Sequence, residues 1–150
     1  MKAILQRVTR ASVTVGGRIV GNIKNGYLVL LGINVTDTRE EAELLARKTA
    51  DMRIFDDEQG NLNLSILDVA GEALVVSNFT LYADCKKGRR PSFCNAARPD
   101  EAKKLYEQYC ELLRQKGVSK VETGEFGADM KVELVNDGPV TVILDTKELV

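Results

Sequence analysis

Residues Lys131 to Leu144 read K-V-E-L-V-N-D-G-P-V-T-V-I-L, and a Gly-Pro pair interrupts a run that otherwise has the period of a strand. Val132, Leu134, Val140, Val142 and Leu144 alternate with other residues, the pattern of a strand with one buried face. Proline has no N–H to give to a sheet ladder and does not belong inside a central strand. Asn136-Asp137-Gly138-Pro139 is therefore expected to be a turn or break between two short strands. Glycine there lets another group approach the backbone, and an X-Pro bond is the one type with a sizeable cis population. A cis bond would aim two successive carbonyls the same way, an acceptor pair suited to an ammonium group. An ordinary hairpin turn is the simpler use of the same residues.

The rest of the chain bounds what such a motif can serve. A length of 150 residues suits a single domain, residues 1–150, with a core that needs no disulfide or metal staple. Net charge is −1, so contact with nucleic acid must come from a local patch rather than a whole-protein field. No apolar run approaches the roughly 20 residues that span a bilayer, and the start, Met1 to Arg7, lacks the apolar region of a signal peptide. A cytoplasmic protein is expected. Cys85, Cys94 and Cys110 are odd in number and lack C-x-x-C spacing, which argues against disulfides and zinc. The chain has no histidine. Ser-His and Cys-His pairs and His-based metal sites are thereby excluded, and any general base is a carboxylate, a lysine or part of the substrate. No Walker A or G-x-G-x-x-G sequence occurs, and no cofactor is expected.

Periodicity places strands at Ile4 to Val8, Ser12 to Val15 and Arg18 to Val20, with Gly16-Gly17 as a hairpin turn. Tyr27 to Ile33 reads as a strand buried on both faces. Thr36, Asp37 or Thr38 caps a helix reaching about Met52. Leu62 and Leu64 mark a short strand after the turn cluster Asp56 to Asn61, and Ala73 to Tyr82 reads as a longer one. Pro99 opens a second helix that Gly117 ends, and Lys120 to Val150 returns to strands. The expected class is α+β: a curled, mostly antiparallel sheet or barrel-like core with two main helices packed outside.

Two stretches could carry chemistry. Ser77-Asn78-Phe79-Thr80 gathers hydroxyls and an amide where an apolar strand ends, and backbone N–H groups freed there can hold an oxyanion. Ser77 and Thr80 cannot share a face by strict alternation. Lys86, Lys87, Arg89 and Arg90, followed by Phe93 and Arg98, form a basic loop with no acidic residue, suited to a phosphodiester beside a stackable base. Asp129 and Glu133 are weaker candidates for a general base.

Taken in order, Gln6-Arg7-Val8-Thr9-Arg10-Ala11-Ser12-Val13, Ser77-Asn78-Phe79-Thr80, Arg90-Pro91-Ser92-Phe93 and Asn136-Asp137-Gly138-Pro139-Val140-Thr141 resemble the D-aminoacyl-tRNA deacylase family over essentially the whole chain. One departure is Asn78, where the family signature has glutamine. The resemblance implies a homodimer with active sites at the subunit interface, where Gly138 and Pro139 of one subunit, joined by a cis bond, enter the site of the other. Their carbonyls would hold the amino group and exclude an L side chain, with tolerance for glycine. Ser77, Phe79 and Thr80 would line the ester pocket, the Phe79 and Thr80 N–H groups acting as oxyanion donors. Arg7 and Asn78 would support the site, and Lys86, Lys87, Arg89 and Arg90 would meet tRNA. The resemblance gives activation of water to the 2′-hydroxyl of the terminal adenosine, which fits a chain without histidine; a Thr80 acyl-enzyme is the alternative. Two other functions use the same residues: a non-catalytic dimeric RNA-binding module for tRNA acceptor ends, and a small hydrolase of free D-amino acid esters or peptides.

Overall fold

The computed structural model describes residues 1–149, so Val150 lies outside the described residues. One long strand organises the sheet. β1 (Lys2–Val15) pairs antiparallel with β3 (Gly26–Gly32) along Lys2 to Val8 and with β2 (Arg18–Ile23) along Ala11 to Val15. The two strands expected at its ends are thus one. Its other edge pairs antiparallel with β8 (Lys131–Asp145) over nearly its whole length. Gly16-Gly17 turns the chain from β1 into β2, as expected, with Val15 facing Arg18.

Beyond β3 the sheet becomes parallel. β6 (Glu72–Ser77) runs parallel to β3, and β7 (Lys120–Thr123) runs parallel to β6. Parallel neighbours need crossovers. The first carries α1 (Arg39–Asp51) and the small hairpin of β4 (Phe55–Asp56) and β5 (Leu62–Leu64); the second carries α2 (Pro99–Gln115). Three of the sheet's pairings are antiparallel and two parallel, with both helices outside a barrel-like curl. The curl nearly closes. A Cβ placed on Gly21 of β2 would lie 2.4 Å from the Thr123 carbonyl oxygen of β7, so glycine is what lets those edges approach.

Local chemistry sets the helix ends. Thr38 caps α1 in a capping box with Glu41, and hydrogen bonds from the Thr38 hydroxyl and N–H hold the Glu41 carboxyl below its ordinary value. Pro99 occupies the first turn of α2. Leu5, Tyr27, Val29, Leu45, Tyr109 and Leu113 are packed in the core between sheet and helices, while Val8, Val13, Leu28 and Leu74 fill the inside of the curl. Cys110 is part of the first cluster, and burial pushes its thiol up to about 12. Cys85 and Cys94 are exposed. No helix among the described residues is long and apolar enough to cross a membrane.

Two expectations need correction. The strand read from Ala73 to Tyr82 stops at Ser77, and Phe79–Tyr82 is a 3-10 turn capped by Asn78. Asn136 to Pro139 is not a hairpin turn, because the strand segments before and after it both pair with β1.

Replacing Gly21 with alanine should push β2 off β7 and lower stability by about 1–3 kcal/mol, as overpacking does. Urea denaturation measures this, and an unchanged midpoint would mean that the closure is not tight.

Candidate active site

The first part of the site is built from a gap in the β1–β8 ladder. Gln6 faces Thr141 and Val8 faces Asn136. Asp137, Gly138, Pro139 and Val140 therefore stand out of the ladder opposite Arg7. Asn136 closes the base of this excursion: its Oδ1 accepts from the Val140 N–H at 2.9 Å, and its Nδ2 donates to Thr141 Oγ1 at 3.1 Å. Gly138 has φ +136, and a Cβ there would fall 2.7 Å from Val140 Cγ2, so only glycine fits. The Gly138–Pro139 peptide is cis. Asp137, Gly138 and Pro139 are exposed.

Arg7 holds the excursion from below. Its side chain shares the helix-covered face of β1 with Ala3 and Leu5 and is buried, only 6% exposed. A guanidinium in that position needs every donor matched. Its Nε donates to the Asp137 carbonyl at 3.0 Å, and Nη1 donates to the Ile54 carbonyl at 3.0 Å and to Asp56 Oδ1 at 3.1 Å. The β4–β5 hairpin thus becomes the platform of the Gly138-Pro139 segment. The sequence places Asn136 in the break but shows neither its hydrogen bonds to Val140 and Thr141 nor the Ile54 and Asp56 contacts of Arg7. A lone cation at a core-facing position of β1 was the available signal.

The second part lies at the carboxyl ends of the parallel strands, where open α/β sheets take their ligands. A cavity of about 540 Å³ there is lined by Leu31, Ser77, Asn78, Phe79, Phe93 and Arg98 among others. The loop before α2 is pinned to β3's continuation, with Val35 N–H donating to Asn95 O and Ala97 N–H to Ile33 O, both at 2.9 Å. Phe126 and Met130, from the loop between β7 and β8, complete the wall. These residues too were missed, since the sequence offers no sign that two distant loops converge.

Asn78 begins the 3-10 turn. Its Oδ1 accepts from the Thr80 N–H at 3.2 Å and also from the Thr80 hydroxyl. The Thr80 N–H expected to serve as an oxyanion donor is therefore already committed, and Thr80 is exposed on the turn. The turn also accounts for the odd separation of Ser77 and Thr80. The Phe79 N–H, first in the turn, has no acceptor within it. Phe79 is 58% exposed and meets the Phe93 ring edge-on at 5.0 Å between centroids.

That contact joins the cavity to the basic loop. Asp84 and Ser92 exchange backbone bonds of 2.7 and 2.9 Å, and Lys86, Lys87, Arg89 and Arg90 stand exposed on the loop between them. Asp129 pairs with Lys131 at 3.1 Å on the surface, and Glu133 faces outward. Among the described residues, no group of three His, Cys, Asp or Glu side chains gathers to hold a metal ion.

Within one chain the two parts do not meet. Arg7 faces Tyr27 and Tyr27 faces Ala73, so the excursion and Ser77 lie three strands apart across the sheet and four residues apart along it. That separation is on the order of 20 Å.

The family model described as D-Tyr-tRNA(Tyr) deacylase matches residues 4–145. A Bacillus velezensis protein named D-aminoacyl-tRNA deacylase is 59% identical over 148 residues, spanning 99% of this chain and 100% of that protein. A Thermosipho melanesiensis protein of the same name is 56% identical over 149 residues, spanning 99% of each. A solved structure described as c-Myc DNA Unwinding Element Binding Protein superposes with a TM-score of 0.92 at 44% identity, covering 97% of this chain and 98% of that one.

Arg7→Lys removes the fork that joins the excursion to the β4–β5 hairpin and leaves carbonyls unpaired. The expected loss is about 2–3 kcal/mol of stability, with faster amide exchange at Val140. Exchange there at the wild-type rate would contradict the clamp.

Proposed function

Because the chain belongs to the D-Tyr-tRNA(Tyr) deacylase family, matched over residues 4–145, we propose that it is an editing hydrolase. It cleaves the ester of D-aminoacyl-tRNA to free D-amino acid and tRNA, acting in the cytoplasm as a homodimer. The observation that carries the reading is the separation of the two site parts within one protomer. An excursion held so firmly by Arg7, with Gly138 and Pro139 exposed, suits insertion into the cavity of a second copy.

In that arrangement the aminoacyl ester lies at Ser77 to Phe79 and the terminal adenosine takes the cavity, whose Phe79, Phe93 and Phe126 offer faces for a base. Lys86, Lys87, Arg89 and Arg90 meet the phosphates of the acceptor end. The partner's excursion supplies backbone carbonyls to the substrate ammonium and occupies the space where an L side chain would project. Selection is then by exclusion, and glycine, with nothing to exclude, is also hydrolysed.

Proton transfer decides between water and Thr80 as the attacking group. Thr80's hydroxyl proton is directed at Asn78 Oδ1, an amide oxygen and no base, and the chain has no histidine. The ribose 2′-hydroxyl is present in every substrate beside the ester and serves to position and activate water.

The purified protein should release amino acid from D-Tyr-tRNA and leave L-Tyr-tRNA intact. Equal release from both would make it an unselective esterase, and release from neither would favour a non-catalytic binder of acceptor ends. Substrate ending in 2′-deoxyadenosine should react at least about 100-fold more slowly, the usual scale of general acid–base assistance. An unchanged rate would remove the 2′-hydroxyl from the mechanism.

A further inference from the structure

Each part of the site carries one charge that its own chain leaves open to a further partner. Arg98 is the one charged residue lining the cavity among the described residues. It stands exposed just before Pro99, and its side chain makes no capping hydrogen bond to α2. Glu101, close by in sequence, pairs with Lys104 at 3.5 Å. Among the described residues no carboxylate pairs with Arg98. On the other part, Asp137 is the only charged residue of the excursion. Arg7 takes its backbone carbonyl at 3.0 Å but only approaches its carboxylate, Nε to Oδ2 at 3.6 Å, because Ile54 and Asp56 hold the guanidinium as well. The Asp137 side chain is 53% exposed.

Water covers both charges in a single chain. Insertion of the excursion into the cavity of a second copy strips that water away, and a charge buried without a counter-charge is expensive. Resting on the dimeric deacylase reading above, we propose that Arg98 pairs with the partner's Asp137 when the excursion enters the cavity. The guanidinium fork matches a carboxylate, and its long stem reaches an anion that arrives at the cavity wall. Asp137 precedes the cis peptide, so the pair fixes how far Gly138 and Pro139 penetrate. In a symmetric dimer the contact forms twice. Arg98 is a positioning residue, acting through the partner's excursion. A tRNA phosphate is the other anion within its chemistry, but Lys86, Lys87, Arg89 and Arg90 stand exposed on the basic loop for that purpose.

Charge reversal tests the contact and shows which chain each charge comes from. In Arg98→Glu two carboxylates meet at every site, and in Asp137→Arg two guanidiniums do. Each variant should lose about tenfold in kcat/KM on D-Tyr-tRNA, the scale of a coupled interfacial charge pair. Unfolded and refolded together, the two variants form mixed dimers in which one site pairs Arg98 with Asp137 and the other pairs the two introduced charges. Native mass spectrometry should then find mixed dimers well above the roughly one half that random assortment gives, and the mixture should be several-fold more active than either component. Random assortment with activity at the mean of the components overturns the proposal. Loss in Arg98→Glu with Asp137→Arg as active as wild type also overturns it and assigns Arg98 to a tRNA phosphate. If Asp137→Arg does not fold beside Arg7, then Arg98→Ala, Asp137→Ala and their double variant decide: a double no worse than the singles supports the pair, and losses that multiply refute it. A monomeric wild type would sink the dimer reading and this inference with it. A wild-type dimer inert towards D-Tyr-tRNA would sink the deacylase reading alone, because the preference for mixed dimers is read without substrate.

Discussion

Arg7 is a buried cation that the sheet cannot satisfy on its own. Its guanidinium takes the Asp137 carbonyl from β8, and the Ile54 carbonyl and the Asp56 carboxylate from the β4–β5 hairpin. A charge at that depth is tolerable only when such partners are present together, so one side chain fixes the relative position of three pieces of chain. The exposed segment Asp137 to Pro139 is consequently backed by a buried charge. Tyr27 adds to this floor by stacking on Phe55 at 5.0 Å and donating its hydroxyl to the Met52 carbonyl at 3.2 Å.

The sheet's mixed pairing explains why the site has two parts. Antiparallel pairing along β1 leaves β8 as an edge from which four residues can stand out. Parallel pairing of β3, β6 and β7 brings their carboxyl ends to one place, and the crossovers between them supply the turn at Phe79, the basic loop and the start of α2. The two parts lie far apart in a single protomer because the excursion leaves the middle of β8, whereas the cavity sits at the carboxyl ends of β3 and β6, three strands away. A second copy of the chain is the simplest way to bring an excursion of this kind to a cavity of this kind, and an isologous dimer would do so twice.

Much of this was legible in local sequence. The Gly16-Gly17 hairpin, the doubly buried run at Tyr27, the helix starts at Thr38 and Pro99 and the break at Gly138-Pro139 each carry their own signal. What local reading missed was non-local. Whether Asn136 to Pro139 is a turn or an excursion depends on the segments before and after it sharing β1, which no window of β8 reveals. The end of β6 at Ser77 was hidden because the apolar run continues through Phe79 and Leu81, while the Asn78 carboxamide redirects the backbone. Arg7 could be singled out as a cation at a core-facing position, yet its partners at residues 54 and 56 are set by how the first crossover folds back.

The central claim is that the excursion of one chain completes the cavity of another, and a complementation assay tests it directly. One variant carries an excursion rebuilt without Gly138 and Pro139; the other carries a cavity blocked at Ser77. Each is inactive alone on D-Tyr-tRNA, and the two are unfolded and refolded together so that subunits mix. The account predicts that activity returns in the mixture, because a mixed dimer contains one site with an intact cavity and an intact excursion from opposite chains. A mixture as inactive as its components would contradict it, since it would place both parts of each working site in the same chain.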